Sequence, residues 1–206
     1  MRKRFNDDIL TLILFALIIA LNVYVYYLEL KFNNLNFNIN AYTAIHFGAS
    51  YGHLDFNGQL YRLCTAMWVH LSLWHIISNM LALWLFVKLV SPIYYTYQIL
   101  LIYLLSGFFG TLISAIANPS IVAAGASTAI SGLVGAMIGM IALPSTRDFN
   151  KASIINYGLQ MLILNTIGAI GTNVDIAGHA GGALTGFIIS LIICLFKRHH
   201  YNLYGE

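Results

Sequence analysis

Charge is what this chain has least of. Only 8% of its 206 residues are Asp, Glu, Lys or Arg, seven acidic and ten basic. A water-soluble domain carries about a quarter. So few charges cannot cover a water-facing surface, which excludes an ordinary soluble globule. The net charge of +3 is no nucleic-acid signal, because the basic residues sit in loops and near the ends. Cysteine is also scarce. Cys64 and Cys194 are the two present, and on the topology below they face opposite sides of a membrane and are not expected to pair. There is no glycine-rich phosphate loop and no Cys/His cluster at metal-ligand spacing, so neither cofactor nor metal is expected. The first apolar run is too long for a signal peptide and has no small-residue cleavage site. It reads as a retained span.

What is present is apolar. Hydrophobic residues make up 59% of the chain and the mean hydropathy is +0.77. A helix crosses a bilayer with roughly 20 mostly apolar residues. Six segments qualify, at 9–28, 70–90, 95–117, 125–143, 152–171 and 177–196. The connections are short except for 29–69, a long first loop with its own aromatic and polar content. The expected fold is an all-α bundle of six transmembrane helices, one membrane domain over 1–206. With the N-terminus inside, the inner segments carry Arg2, Lys3, Arg4, Lys88, Arg147, Lys151, Lys197 and Arg198, and the outer ones only Lys31 and Arg62. Cytoplasmic segments are enriched in Lys and Arg, so both termini are expected in the cytoplasm.

That orientation sorts the polar residues of the core. Spans two, four and six all enter from the outer face. His70, His75 and Asn79 lie early in span two, Ser127 at the start of span four, and His179 at the start of span six. A serine hydroxyl is a weak nucleophile until a base takes its proton, and histidine suits that task near neutral pH. Gly132 on span four and the Gly182/Gly186 GxxxG pair on span six would let the two backbones approach closely. Helix-start N–H groups lack intrahelical partners, so the Ser127 N–H is a candidate oxyanion donor. His75 and Asn79, four apart, share a helix face and offer two more donors. Asp175 precedes His179 by four residues and is expected to cap the sixth helix rather than complete a triad. The uncharged stretch from Asn118 to Gly125 could dip into the bilayer, with His70, Ser72, His75, Ser78, Asn79 and Ser127 lining a water-filled cavity.

Each feature also has a plainer reading. Serine is a common packing residue between membrane helices. His179 could bond a neighbouring backbone, and His75 and Asn79 could only hold helices together. Tyr61 and Arg62 could be an interfacial anchor. An ionisable group within a span is usually functional, and the plain account must explain four placements at once.

At these residues the chain resembles the rhomboid intramembrane serine proteases, from about Gly58 to Gly186. Tyr61-Arg62 resembles the family's aromatic-Arg pair. His70 to Asn79 resembles its HxxxxHxxxN helix, Gly125-Ala126-Ser127 its GxS motif, and His179 to Gly182 its HxxG motif. The resemblance implies a minimal six-helix form with Ser127 as nucleophile and His179 as base. It implies His75, Asn79 and the Ser127 N–H as the oxyanion hole, and Tyr61 and Arg62 as braces of the first loop. Substrates would be transmembrane or membrane-anchored proteins cut near the outer face, and the setting a bacterial cytoplasmic membrane. The oligomeric state and the substrate's identity stay open. Three positions depart from the pattern. Thr128 stands where a glycine is usual, Ser131 replaces an aromatic, and Ser91 replaces a glutamate. A silent relative that only binds client helices is the alternative. A haem or proton carrier built on His70, His75 and His179 is a third reading, and the glycine-tight contacts leave little room for a haem.

Overall fold

The computed structural model describes residues 3–32, 39–139, 156, 158 and 175–204. The chain is mostly helical. Helix α1 runs Lys3–Phe32. The segment to the next long helix is not a bare loop, as its length had suggested. It folds into α2 (Ala41–His46), the short strand β1 (Ser50–Tyr51), α3 (Gly52–Asp55), α4 (Arg62–Thr65) and a 3-10 turn at Ala66–Trp68. Then come α5 (Leu73–Val90), α6 (Thr96–Ala117), strand β2 (Val122–Ala123), α7 (Ser127–Gly139) and α8 (Ile176–Tyr204).

Among the described residues, α5, α6 and the Ile176–Phe196 part of α8 are long and apolar enough to cross a membrane. The apolar part of α1, Leu12–Leu28, and α7 are shorter. Outward faces carry Trp74, Leu81, Ile116, Leu184, Leu195 and Phe196 well exposed. Contiguous apolar surface of this kind is unusual on a soluble monomer and is what lipid accepts. The expected fifth span at 152–171 falls outside the described residues apart from 156 and 158, as do residues 140–143 of the fourth.

Two boundaries differ from expectation, for local reasons. The second span was expected from residue 70, but α5 starts at Leu73. Ser72 is extended (φ −153°, ψ 160°) and its side chain accepts the His75 N–H at 3.1 Å, a serine N-cap. His70 therefore lies outside the helix. The fourth span was expected from 125, but Gly125 has φ +116°, which ends any helical run there, and α7 starts at Ser127.

Helix α7 is the centre of the bundle. Every residue from Thr128 to Met137 is buried. It packs against α6 on one side and α8 on another, and small residues set the spacing. A side chain on Gly186 would meet the backbone of Gly132, its Cβ 2.7 Å from the Gly132 Cα. One on Gly182 would meet the Thr128 carbonyl, and one on Gly132 would meet Ser106 of α6 and the Gly182 oxygen at 3.3 Å. Gly132, Gly182 and Gly186 thus sit where a close helix contact requires glycine. Lower in the bundle, the buried Tyr94 hydroxyl donates to the Ala136 carbonyl at 3.1 Å and lies 2.6 Å from Ser190 Oγ, tying α7 to α8. Overpacking such a contact costs about 1–3 kcal/mol. Gly186→Val should therefore unfold markedly earlier in a detergent melt. Leu184→Val, on the exposed face of the same helix, should move the midpoint little.

The first loop is held by polar bonds. Arg62, almost fully buried, donates through Nη1 to the Ile45 and Ala49 carbonyls (3.0 Å to Ala49) and through Nε to Gln59 Oε1 at 2.7 Å. It thereby satisfies carbonyls at and just beyond the end of α2. The exposed Tyr61 ring lies 5.2 Å from its guanidinium carbon. Asp55 accepts from Ser50 Oγ at 2.5 Å and from the Tyr51 N–H at 3.2 Å. Neither cysteine forms a disulfide among the described residues; Cys64 is exposed and Cys194 buried.

Candidate active site

The segment entering α7 is pinned from several directions. β2 pairs antiparallel with β1, Ser50 opposite Ala123 and Tyr51 opposite Val122. The Pro119 carbonyl accepts the His53 N–H at 3.3 Å, and the His53 ring meets Ser120 Oγ at 3.0 Å. The first loop therefore clasps the stretch that leads to Ser127. Then three successive backbone groups are assigned. The Gly125 N–H donates to the Ala66 carbonyl at 2.9 Å, the Ala126 N–H to His70 Nε2 at 3.3 Å, and the Ala126 carbonyl accepts the Ile130 N–H at 2.9 Å. The last bond opens α7. It leaves the Ser127 N–H with no backbone acceptor among the described residues, as helix geometry demands of the first turn.

The partner helix is set by its cap. Asp175 Oδ1 accepts the Gly178 N–H at 2.9 Å, and its carbonyl accepts the His179 N–H at 3.0 Å. This is the capping role expected of Asp175, and it fixes His179 in the first turn of α8. Because the glycines draw α7 and α8 together, Ser127 Oγ lies 2.8 Å from His179 Nε2. Both side chains are half-buried. No carboxylate hydrogen-bonds the His179 ring among the described residues, so Ser127 and His179 form a pair.

His75 and Asn79 come to the same place from α5. A Cβ on Gly125 would fall 2.5 Å from His75 Cε1, 2.6 Å from its Nε2 and 3.4 Å from Asn79 Nδ2. Both side chains thus press on the turn two residues before Ser127. Asn79 is buried and its Nδ2 has no acceptor among the described residues. Buried donors are nearly always satisfied, so an unspent one beside the turn that leads into Ser127 is a functional signal.

The cavity expected around these residues is only partly what the sequence implied. His70 is fully buried and its ring is spent on Ala126. Ser72 is a helix cap, and Ser78 Oγ donates to the His75 carbonyl at 3.1 Å. One residue of this network is not among those the sequence motifs mark. Asn22 of α1 reaches the His70 backbone and the Trp68 carbonyl. The signal for it was present, a single amide inside a long apolar run.

Comparison with known proteins bears on the same stretch. The Rhomboid domain model matches residues 57–196. The chain belongs to the rhomboid family. Among its relatives are the rhomboid protease GluP of Bacillus subtilis (strain 168), 33% identical over 88% of this chain and 35% of its own, and RHOMBOID-like protein 1 of Arabidopsis thaliana, 30% identical over 69% of this chain and 37% of its own. Inactive rhomboid protein 1 of Drosophila melanogaster is 27% identical over 72% of this chain and 10% of its own. The chain spans little more than a third of the length of the first two. This rhomboid is a multi-pass membrane protein, and the family contains both proteases and a member named inactive. The departures from the pattern find plain places in the structure. Thr128 is buried with its hydroxyl unpartnered among the described residues, Ser131 is buried, and Ser91 caps α5 through its N–H to Val87 O at 2.9 Å.

Proposed function

We propose that this rhomboid is an intramembrane serine endopeptidase that cleaves transmembrane protein substrates near the outer face of the bilayer. The observation that carries the proposal is the 2.8 Å contact between Ser127 Oγ and His179 Nε2. At that distance the imidazole takes the hydroxyl proton as Oγ attacks the scissile carbonyl. The oxyanion that forms meets the Ser127 N–H, with His75 and Asn79 as side-chain donors. The imidazolium returns its proton to the leaving amine, whose C–N bond breaks, and an acyl ester on Ser127 remains. Water, deprotonated by the same imidazole, hydrolyses that ester and regenerates the hydroxyl.

The full architecture belongs to this reading. Six spans with both termini cytoplasmic put the Ser127 end of α7 on the side away from most of the Lys and Arg residues. Arg62 and Tyr61 then brace a first loop at the outer interface. The site needs no metal or cofactor.

Reaction with a fluorophosphonate tests the core of the proposal without a known substrate. Wild-type protein in detergent should become covalently labelled, and Ser127→Ala and His179→Ala should not. A folded wild type that takes no label would favour the silent, client-binding alternative, with Thr128 beside the nucleophile as the residue to change first.

A further inference from the structure

Asn22 is a polar side chain in the apolar part of α1, and no step above uses it. It is 1% exposed. Its Nδ2 donates to the Ile18 carbonyl at 2.7 Å and to the Trp68 carbonyl at 2.8 Å. Those two acceptors fix which way the amide faces, because an oxygen in that place would meet two carbonyls. Oδ1 therefore receives the His70 N–H, at 2.8 Å. Nδ2 also lies 3.4 Å from His70 Nδ1, but both of its hydrogens are already committed.

The His70 ring continues the chain of bonds. Its Nε2 accepts the Ala126 N–H and so carries a lone pair. In the neutral ring the hydrogen then sits on Nδ1, on the side of the ring that faces Asn22. One amide thus fixes the backbone of His70 and lies against its ring. The ring in turn holds the residue before Ser127, and it lies edge-on to His75 with centroids 5.0 Å apart. A side chain whose only task was to tie α1 to the bundle would need one such bond.

We propose that Asn22 is a positioning residue for the reaction. Through His70 Nε2 it sets the Ala126-Ser127 turn, and so aims the Ser127 N–H at the developing oxyanion. This role presupposes the serine-protease reading above. Small misplacements of reacting groups cost up to about 100-fold in rate, while substrate binding to the outer surfaces of the bundle is untouched.

The test uses the full chain in detergent with a transmembrane peptide reporter, comparing wild type, Ser127→Ala and Asn22→Leu, together with 15N NMR of the labelled imidazoles. His70 is assigned by the resonance lost in His70→Gln. Asn22→Leu should lower kcat roughly 10- to 100-fold with KM within about twofold. Wild-type His70 should be the neutral ring with its hydrogen on Nδ1. If the leucine variant does not fold, Asn22→Ser, which keeps one donor, is read in its place. A folded variant with wild-type kcat, or a wild-type His70 carrying its hydrogen on Nε2, overturns the role of Asn22. Ser127→Ala retaining wild-type turnover would instead take down the protease reading, and this role with it.

Discussion

Ser127→Ala and His179→Ala are each expected to lower turnover of a transmembrane reporter at least ~10²-fold, with the double variant no worse than either single. The size follows from the lack of a carboxylate hydrogen-bonded to the His179 ring among the described residues. Losing the nucleophile or the base of a full serine triad costs about 10⁶ in kcat, and losing its acid about 10⁴. Asp175 Oδ1 accepts the Gly178 N–H, its Oδ2 is buried, and neither oxygen hydrogen-bonds the His179 ring among the described residues. A pair working without that partner starts roughly 10⁴ below a triad, so about 10² remains to be lost. Non-additivity follows because Ser127 Oγ and His179 Nε2 act through one shared hydrogen bond, and removing either end removes the whole device. The measurement is initial cleavage rate in proteoliposomes, with the far-ultraviolet dichroism of each variant matching wild type. A variant that keeps more than a tenth of wild-type turnover would show that the other member of the pair is not its obligate partner.

Much of this site could be read from the sequence because lipid makes polar residues conspicuous. Ser127, His179, His75 and Asn79 stand out against apolar runs, and period-3.6 spacing puts the last two on one face. The glycines of α7 and α8 could be read the same way, since an apolar span has few other reasons to hold several. The clasp of β1 on β2 could not. It depends on two-residue strands separated by more than 70 positions, too short to leave an alternating pattern. The folding of residues 41–68 was hidden for a related reason. Its order comes from Arg62, Thr65 and Asp55 bonding to backbone groups, and such bonds have no periodicity. The role of His70 was misread because its place in a motif suggested a site-lining side chain, whereas the cap at Ser72 puts it off the helix and turns it to Ala126.

Gly125 is where backbone conformation and side-chain contact meet, and its substitution should separate them. Gly125→Val is expected to lower kcat by about 10²–10³, the worth of an oxyanion donor, with KM changed much less. Two causes act together. At φ +116° an L-residue is strained, by about 1–3 kcal/mol. A Cβ there would also lie 2.5 Å from His75 Cε1, and His75 has little room to yield, with His70 packed edge-on against it. Either the imidazole moves off the oxyanion or the turn rotates and carries the Ser127 N–H away. Gly58 is the matched control. It too has a positive φ, +87°, but nothing lies within 4 Å of the Cβ it would gain. Gly58→Val should share the strain and keep turnover within about twofold. Equal losses in both variants would reduce Gly125 to a turn-former. A loss confined to Gly125 would show that its missing side chain is what lets His75 reach the reacting atoms.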